Sequence, residues 1–210
     1  MIFLGVYQDW FLAVWTINRL LVLTNEQILV RSDGHYNHEF ASVLLQRERV
    51  LIVRGDERLK VSGNGGLYTH TWLSLFLRFS LDSYLIKIDP DTGINHPPTF
   101  PAEFDVACNF MNGALRGGAV AFTRQAVQML VASRFLLDEK YQPLRWCYRW
   151  RNTEWIPCED AILYDAIQRL GLTLVHWDDV YCRHSAESFN PPYSINSYSF
   201  YHPIGRTSDE

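Results

Sequence analysis

The sequence predicts an α/β fold, a mostly parallel sheet with helices on both faces. Short apolar runs of strand length alternate with longer stretches whose apolar residues recur at helical spacing, the pattern of parallel strands joined by crossover helices. Apolar content of 48% and charged content of 20% over 210 residues belong to a folded chain able to bury a core. Aspartates also fall directly after successive strand candidates, at Asp9, Asp33, Asp56 and Asp89. In such sheets ligands bind beyond the carboxyl ends of the strands, so these side chains should line one crevice.

Ile2–Tyr7 reads as a buried first strand, and Asp9 as the cap of a helix reaching about Leu21. Gln27–Arg31 is a second strand ending at Ser32-Asp33-Gly34, followed by a helix over Asn37–Gln46 and a third strand over Val50–Arg54. Gly63, Gly65 and Gly66 form a glycine-rich loop that opens into the apolar stretch Leu67–Leu81. Tyr84–Ile88 is the next strand, and Asp89-Pro90-Asp91 stands at its mouth. Asn95–Phe104, with Pro97, Pro98 and Pro101, is an irregular excursion, and Asp105–Phe110 is a strand. Gly113, Gly117 and Gly118 lead into Ala119–Phe122, after which Thr123 caps a helix carrying Ala126, Val127, Leu130 and Val131 on one face. Glu159-Asp160 opens another helix, and Gly171 stops it. Leu172–Trp177 is the last strand, before a tail rich in Ser, Asn, Tyr and Pro.

The net charge of −4, without a Lys/Arg-rich cluster, argues against nucleic acid as a partner. Cys108, Cys147, Cys158 and Cys182 lack the paired short spacings of a zinc site and read as buried thiols. No signal-peptide pattern precedes Ile2, and no run reaches the length of a membrane span. The expectation is a cytoplasmic protein, with attachment at a membrane periphery compatible.

Asp89 and Asp91 are the main chemical signal. On a strand, residues two apart point the same way, so both carboxylates reach one ion. Pro90 cannot donate to a ladder and should end the pairing. Hard cations such as Mg²⁺ take one or two carboxylates together with substrate phosphates. Asp-Pro-Asp-Thr-Gly also has the composition of a solvated turn.

The order of Asp-x-Asp after an apolar strand, then Gly-Gly-Ala-Val-Ala-Phe-Thr-Arg, then Glu-Asp opening a helix resembles the GT-A superfamily of glycosyltransferases. The resemblance runs from Ile2 to about Tyr181, and to His202-Pro203 in the tail. It implies a Rossmann-type sheet in one catalytic domain over 1–210: a nucleotide-binding half at 1–94, an acceptor half at 95–185, and a tail or lid at 186–210. It also implies a nucleoside-diphosphate sugar as donor (UDP or GDP), Mn²⁺ or Mg²⁺ as cofactor, and a glycan or small molecule as acceptor.

By the same resemblance Asp89 and Asp91 hold metal and diphosphate, Asp91 the more direct ligand, with a C-terminal histidine, His202 or His184, as a third. Asp33 matches a contact to base or ribose, beside the alternative of a turn aspartate. Gly65 and Gly66 match a nucleotide contact, and Gly117 and Gly118 a close approach to sugar or acceptor. Glu159 and Asp160 match the acidic pair in which the second residue takes the acceptor proton if the reaction inverts. Acids in a first helical turn are also favoured by the helix dipole. Lys60 and Arg78 are the basic residues nearest the glycine loop, which leaves the diphosphate mostly to the metal.

Two other readings compete. A haloacid-dehalogenase-type phosphatase also sets Asp-x-Asp after a strand, but it wants Thr or Val at position 93, which is Gly; Asp178-Asp179 would imitate its later acidic pair. A non-catalytic nucleotide-sugar-binding module would keep the fold alone, and the retention of Asp89, Asp91 and Asp160 together argues against it.

Overall fold

The computed structural model describes residues 1–55, 65–111, 114–139, 159–182 and 199–202. Asp56, Lys60, Gly63, Gly113, Cys147, Pro157, Cys158, His184 and most of the tail lie outside the described residues.

The first half alternates as its periodicity predicts: β1 (Ile2–Val6), α1 (Trp10–Leu23), β2 (Ile28–Asp33), α2 (His38–Leu45), β3 (Val50–Gly55), α3 (Gly65–Phe79) and β4 (Tyr84–Ile88). β5 (Gly93–Ile94), β6 (Val106–Met111), β7 (Ala114–Thr123), α4 (Arg124–Ser133), α5 (Glu159–Leu170), β8 (Leu174–His176), β9 (Val180–Cys182) and β10 (Phe200–His202) follow. The main sheet has seven strands in the order β3-β2-β1-β4-β7-β6-β8. β7 is antiparallel to β4 and β6, while the other pairings are parallel. The carboxyl ends of β1, β2, β3, β4, β6 and β8 therefore share one edge.

Helices cover both faces. Trp10, Ala13, Ile17 and Leu20 of α1 and Ala41 and Leu44 of α2 pack with Ile2, Leu4, Ile28 and Val30. On the opposite face Trp72, Leu73 and Phe76 of α3, Leu130 of α4 and Ile162 and Ile167 of α5 pack with Phe3, Leu29 and Leu85. Trp72 is fully buried, its ring 5.6 Å from those of both Phe3 and Phe122.

Several boundaries have local causes. Asn37 Oδ1 accepts from the amides of Glu39 and Phe40, and Thr123 Oγ1 from that of Ala126, each satisfying helix N-terminal donors. Gly171, at φ 63°, ends α5, with its amide bonded to Gln168 O and that of Leu172 to Ile167 O. Asp9 sits at the start of α1, but its carboxylate makes no capping bond; its carbonyl takes the Ala13 amide instead.

Three expectations need correction. Gly65 and Gly66 are the buried first turn of α3, not part of a loop. A Cβ on Gly66 would lie 2.1 Å from Leu136 O, and one on Gly65 3.1 Å from the Glu159 amide, so helix packing demands glycine at Gly66 and favours it at Gly65. Gly117 and Gly118 lie inside β7, at a register shift opposite Cys108 and Asn109, where glycine suits a bulge. Asp89-Pro90-Asp91 is a turn closed by the Thr92 amide on Asp89 O at 3.0 Å, rather than an extended strand end. The two carboxylates are thus related by a turn and not by strand alternation.

The Gly66 contact sets a stability prediction. Gly66→Ala should destabilise by about 1–3 kcal/mol through overpacking against a backbone carbonyl. At roughly 2–4 °C per kcal/mol for a chain of this size, the loss is visible in a thermal melt. An unchanged melting temperature would contradict that packing.

Candidate active site

The Asp-x-Asp turn is anchored to β7. The Asp89 amide donates to Gly118 O at 2.8 Å, and Thr92 Oγ1 donates to the same carbonyl at 3.1 Å. Beyond the turn, β5 joins a second sheet of three strands, in the order β5-β10-β9. In its antiparallel register Tyr201 stands opposite Gly93, which runs the backbone of His202 toward Thr92, one residue from Asp91.

Leu85 faces the core under α3 and α5, and alternation puts Lys87 on that face too. Lys87 is buried, with Nζ 2.8 Å from Asp89 Oδ1 and 3.9 Å from Glu159 Oε1. Trp72 Nε1 donates to Glu159 Oε1 at 3.2 Å. One lysine therefore joins the Asp-x-Asp turn to the first residue of α5. Sequence reasoning passed over it, although a charge inside Tyr84-Leu85-Ile86-Lys87-Ile88 was a signal: a lysine is almost never buried unless paired.

Asp160 is half-buried beside Glu159 at the start of α5. Burial first, and the charge of Asp160 second, push the Cys108 thiol well above the usual cysteine range, so it stays protonated. Next to Cys108, Asn109 is buried at the β6 bulge. Its Nδ2 donates to Val180 O at 2.6 Å, while Oδ1 has no hydrogen-bond partner among the described residues. An orphaned buried acceptor costs about 1–3 kcal/mol unless something satisfies it. Nothing in the spacing pointed to Asn109, because its burial depends on the bulge and on β9.

Asp33 is the last residue of β2, buried, with Oδ1 2.6 Å from Arg31 Nη1, so it belongs to the strand end and not to the turn of the alternative reading. The Arg31 guanidinium lies over the Tyr68 ring at 5.8 Å. A Cβ on Gly5 would fall 1.8 Å from the Tyr68 hydroxyl, so glycine on β1 is what admits this tyrosine. Arg31 and Lys87 are thus basic groups near the carboxyl ends of β2 and β4.

Asp179 has a structural task. Its carboxylate accepts from the Ser199 amide and hydroxyl and from the Thr99 amide and hydroxyl, tying the excursion after β5 to β10. Burial raises this carboxyl, but those donors outweigh it and hold it below the usual aspartate range. Because the folded value lies below the unfolded one, the stabilisation is present above about pH 4 and lost as pH falls through the folded value. Asp179→Asn should therefore lower the urea midpoint at about pH 6, and by progressively less as pH falls below about 4. An effect that stays constant as the pH is lowered would contradict this.

Among the described residues no group of three or more His, Cys, Asp or Glu is arranged to hold a metal, and no helix is long and apolar enough to cross a membrane. Asp89, Asp91, Gly118, Glu159 and Asp160 belong to the carboxyl edge around β4 and α5; Asp33 is two strands away along the same edge. Gly65 and Gly66 adjoin the start of α5 but are buried.

No family model matches the sequence, and no curated protein matches it. Among solved structures the chain is similar to the galactosyltransferase LgtC, determined in complex with donor and acceptor sugar analogs. The TM-score is 0.54 at 10% identity over 97% of this chain and 87% of LgtC. An active-site mutant of LgtC gives 0.55 at 10% identity over 98% and 87%. The glycosyltransferase GlyE of Streptococcus pneumoniae TIGR4 gives 0.51 at 11% identity over 85% of this chain and 45% of GlyE. At these identities the likeness shows the fold: a GT-A-like α/β arrangement with a mostly parallel sheet flanked by helices.

Proposed function

We propose that the protein is a GT-A-type glycosyltransferase that moves a sugar from a nucleoside diphosphate, UDP or GDP, to a hydroxyl of a glycan or small molecule. The observation that carries this reading is the convergence of Asp89, Gly118 and Glu159, distant in sequence, around Lys87 and one turn at the carboxyl edge.

Asp89 and Asp91 would hold Mn²⁺ or Mg²⁺. They are hard oxygen donors on a single turn, and two carboxylates are what such an ion takes alongside substrate phosphates. Asp89 Oδ1 carries the ammonium of Lys87, a cation that the metal would have to displace. His202, by the register of β10, would be a further ligand. Once bound, the metal would neutralise charge developing on the departing nucleoside diphosphate. The buried Asn109 Oδ1 suits a sugar hydroxyl, which would satisfy it on binding. Asp160 would take the proton from the acceptor hydroxyl in an inverting transfer, while buried Glu159 holds Lys87 and Trp72. Asp33 and Arg31 would form the nucleotide end of the crevice. The test is whether UDP or GDP raises the melting temperature only when Mn²⁺ is also present.

A further inference from the structure

Arg54 carries the last side chain of β3, at the carboxyl edge of the sheet. It stands opposite Ser32 in the register, one residue before Gly55, which pairs with Asp33. It is therefore one strand away from the Arg31–Asp33 pair assigned above to the nucleotide. The residue is exposed, yet its guanidinium lies over the Tyr36 ring, 5.5 Å from the centroid.

Tyr36 is a firm seat for it. Just before Tyr36 the loop is tied by Trp10 Nε1 and Ser32 Oγ, which both donate to His35 O at 3.0 Å. Just after it Asn37 caps α2. The Tyr36 ring meets the buried Trp10 at 5.9 Å and His38 at 4.8 Å, each at an interplanar angle of 77°. Holding a long exposed side chain over a ring costs rotamer freedom and returns little stability. What it provides is a set direction for a planar, permanently charged group, and contact with a ring uses none of the guanidinium N–H donors.

We propose that Arg54 reads the base of the donor and that this base is guanine. Guanine presents O6 and N7 side by side, two acceptors that take two parallel hydrogen bonds from one guanidinium. Adenine sets an amino donor beside N7. Uracil sets an N–H donor between its two carbonyls, so neither rival offers an adjacent pair of acceptors. In the proposed complex Arg54, seated on Tyr36, donates to O6 and N7, with the ribose toward Asp33 on the neighbouring strand. The inference rests on the nucleoside-diphosphate reading above and goes beyond it by choosing GDP over UDP and naming the residue that chooses.

The test is calorimetry in excess Mn²⁺ with GDP, inosine diphosphate, 7-deaza-GDP, ADP and UDP. Inosine diphosphate keeps O6 and N7, 7-deaza-GDP lacks N7, and ADP has an amino group in place of O6. GDP and inosine diphosphate should bind alike, 7-deaza-GDP more weakly, and ADP and UDP more weakly by about tenfold or more, the worth of a matched bidentate contact. Arg54→Lys keeps a cation but loses the fork, so GDP should fall to the level of UDP while UDP binding and the melting temperature stay unchanged. UDP binding as tightly as GDP, or a guanine preference that survives in Arg54→Lys, overturns the proposal. The comparison of GDP with 7-deaza-GDP needs no variant, and equal affinities there overturn it too. If no nucleotide binds, this inference and the glycosyltransferase reading fail together. If nucleotides bind and guanine has no advantage, only this inference fails.

Discussion

Asp91→Asn should abolish turnover and metal-dependent nucleotide binding while leaving the protein folded. Asp91 occupies the third position of the turn that follows β4, half-buried at the sheet edge, and the turn closes through Asp89 O and the Thr92 amide. Asparagine is as suited to a turn as aspartate, so the backbone has no reason to change. A substitution away from core and caps usually moves stability by no more than about 0.5 kcal/mol. The loss is instead chemical: a neutral amide replaces an anionic ligand at an ion that also carries the diphosphate. Binding of the nucleotide with Mn²⁺, followed by calorimetry, should fall below detection, and turnover with it. Normal turnover in this variant would remove the metal site. A large drop in melting temperature of the free protein would show instead that Asp91 is structural.

Asp160→Asn should spare nucleotide binding and lower turnover by about 10²-fold or more, the usual share of a general base. The competing account is that an acid in the first turn of α5 only offsets the helix dipole, worth about 0.3–1 kcal/mol. The two separate cleanly. A base lost from the site changes kcat and leaves the melting temperature nearly constant. A dipole partner lost from the helix lowers the melting temperature and leaves kcat alone. Asp160 rather than Glu159 is the candidate because Glu159 is buried on Trp72 and near Lys87, whereas Asp160 is half-buried, with its charge acting on Cys108 next to Asn109.

Much of this architecture is legible in the sequence because its signals are local. The strand–helix alternation from Ile2 to Ile88 follows from apolar periodicity, and Asn37, Thr123 and Gly171 announce helix ends through groups they satisfy themselves. β7 was harder: it is central, antiparallel and interrupted by Gly117 and Gly118, so its composition reads as a loop before a short apolar run. Gly65 and Gly66 misled for a related reason. Their need for glycine comes from Leu136 O and the Glu159 amide, partners remote in sequence. β9 and β10 are three residues each and are recognisable only through each other.

At the site, the sequence indicated Asp89, Asp91, Glu159 and Asp160 by order and spacing. It did not indicate how they are joined. The Arg31–Asp33 pair was accessible in principle, since residues two apart share a strand face, but its burial was not. Lys87 was visible as a charge in an apolar strand, and only the packing of α3 and α5 onto that face brings Glu159 and Trp72 to it.

The decisive measurement is the melting temperature with UDP and with GDP, each with and without Mn²⁺, for the unmodified protein and for Asp91→Asn. At about 100 times its Kd a ligand adds roughly 2.7 kcal/mol, which corresponds to several degrees for a chain of this size. The donor site proposed for Asp89 and Asp91 predicts a rise that needs nucleotide and metal together, favours one base, and vanishes in Asp91→Asn. No rise in any combination, or an equal rise in the variant, would contradict it.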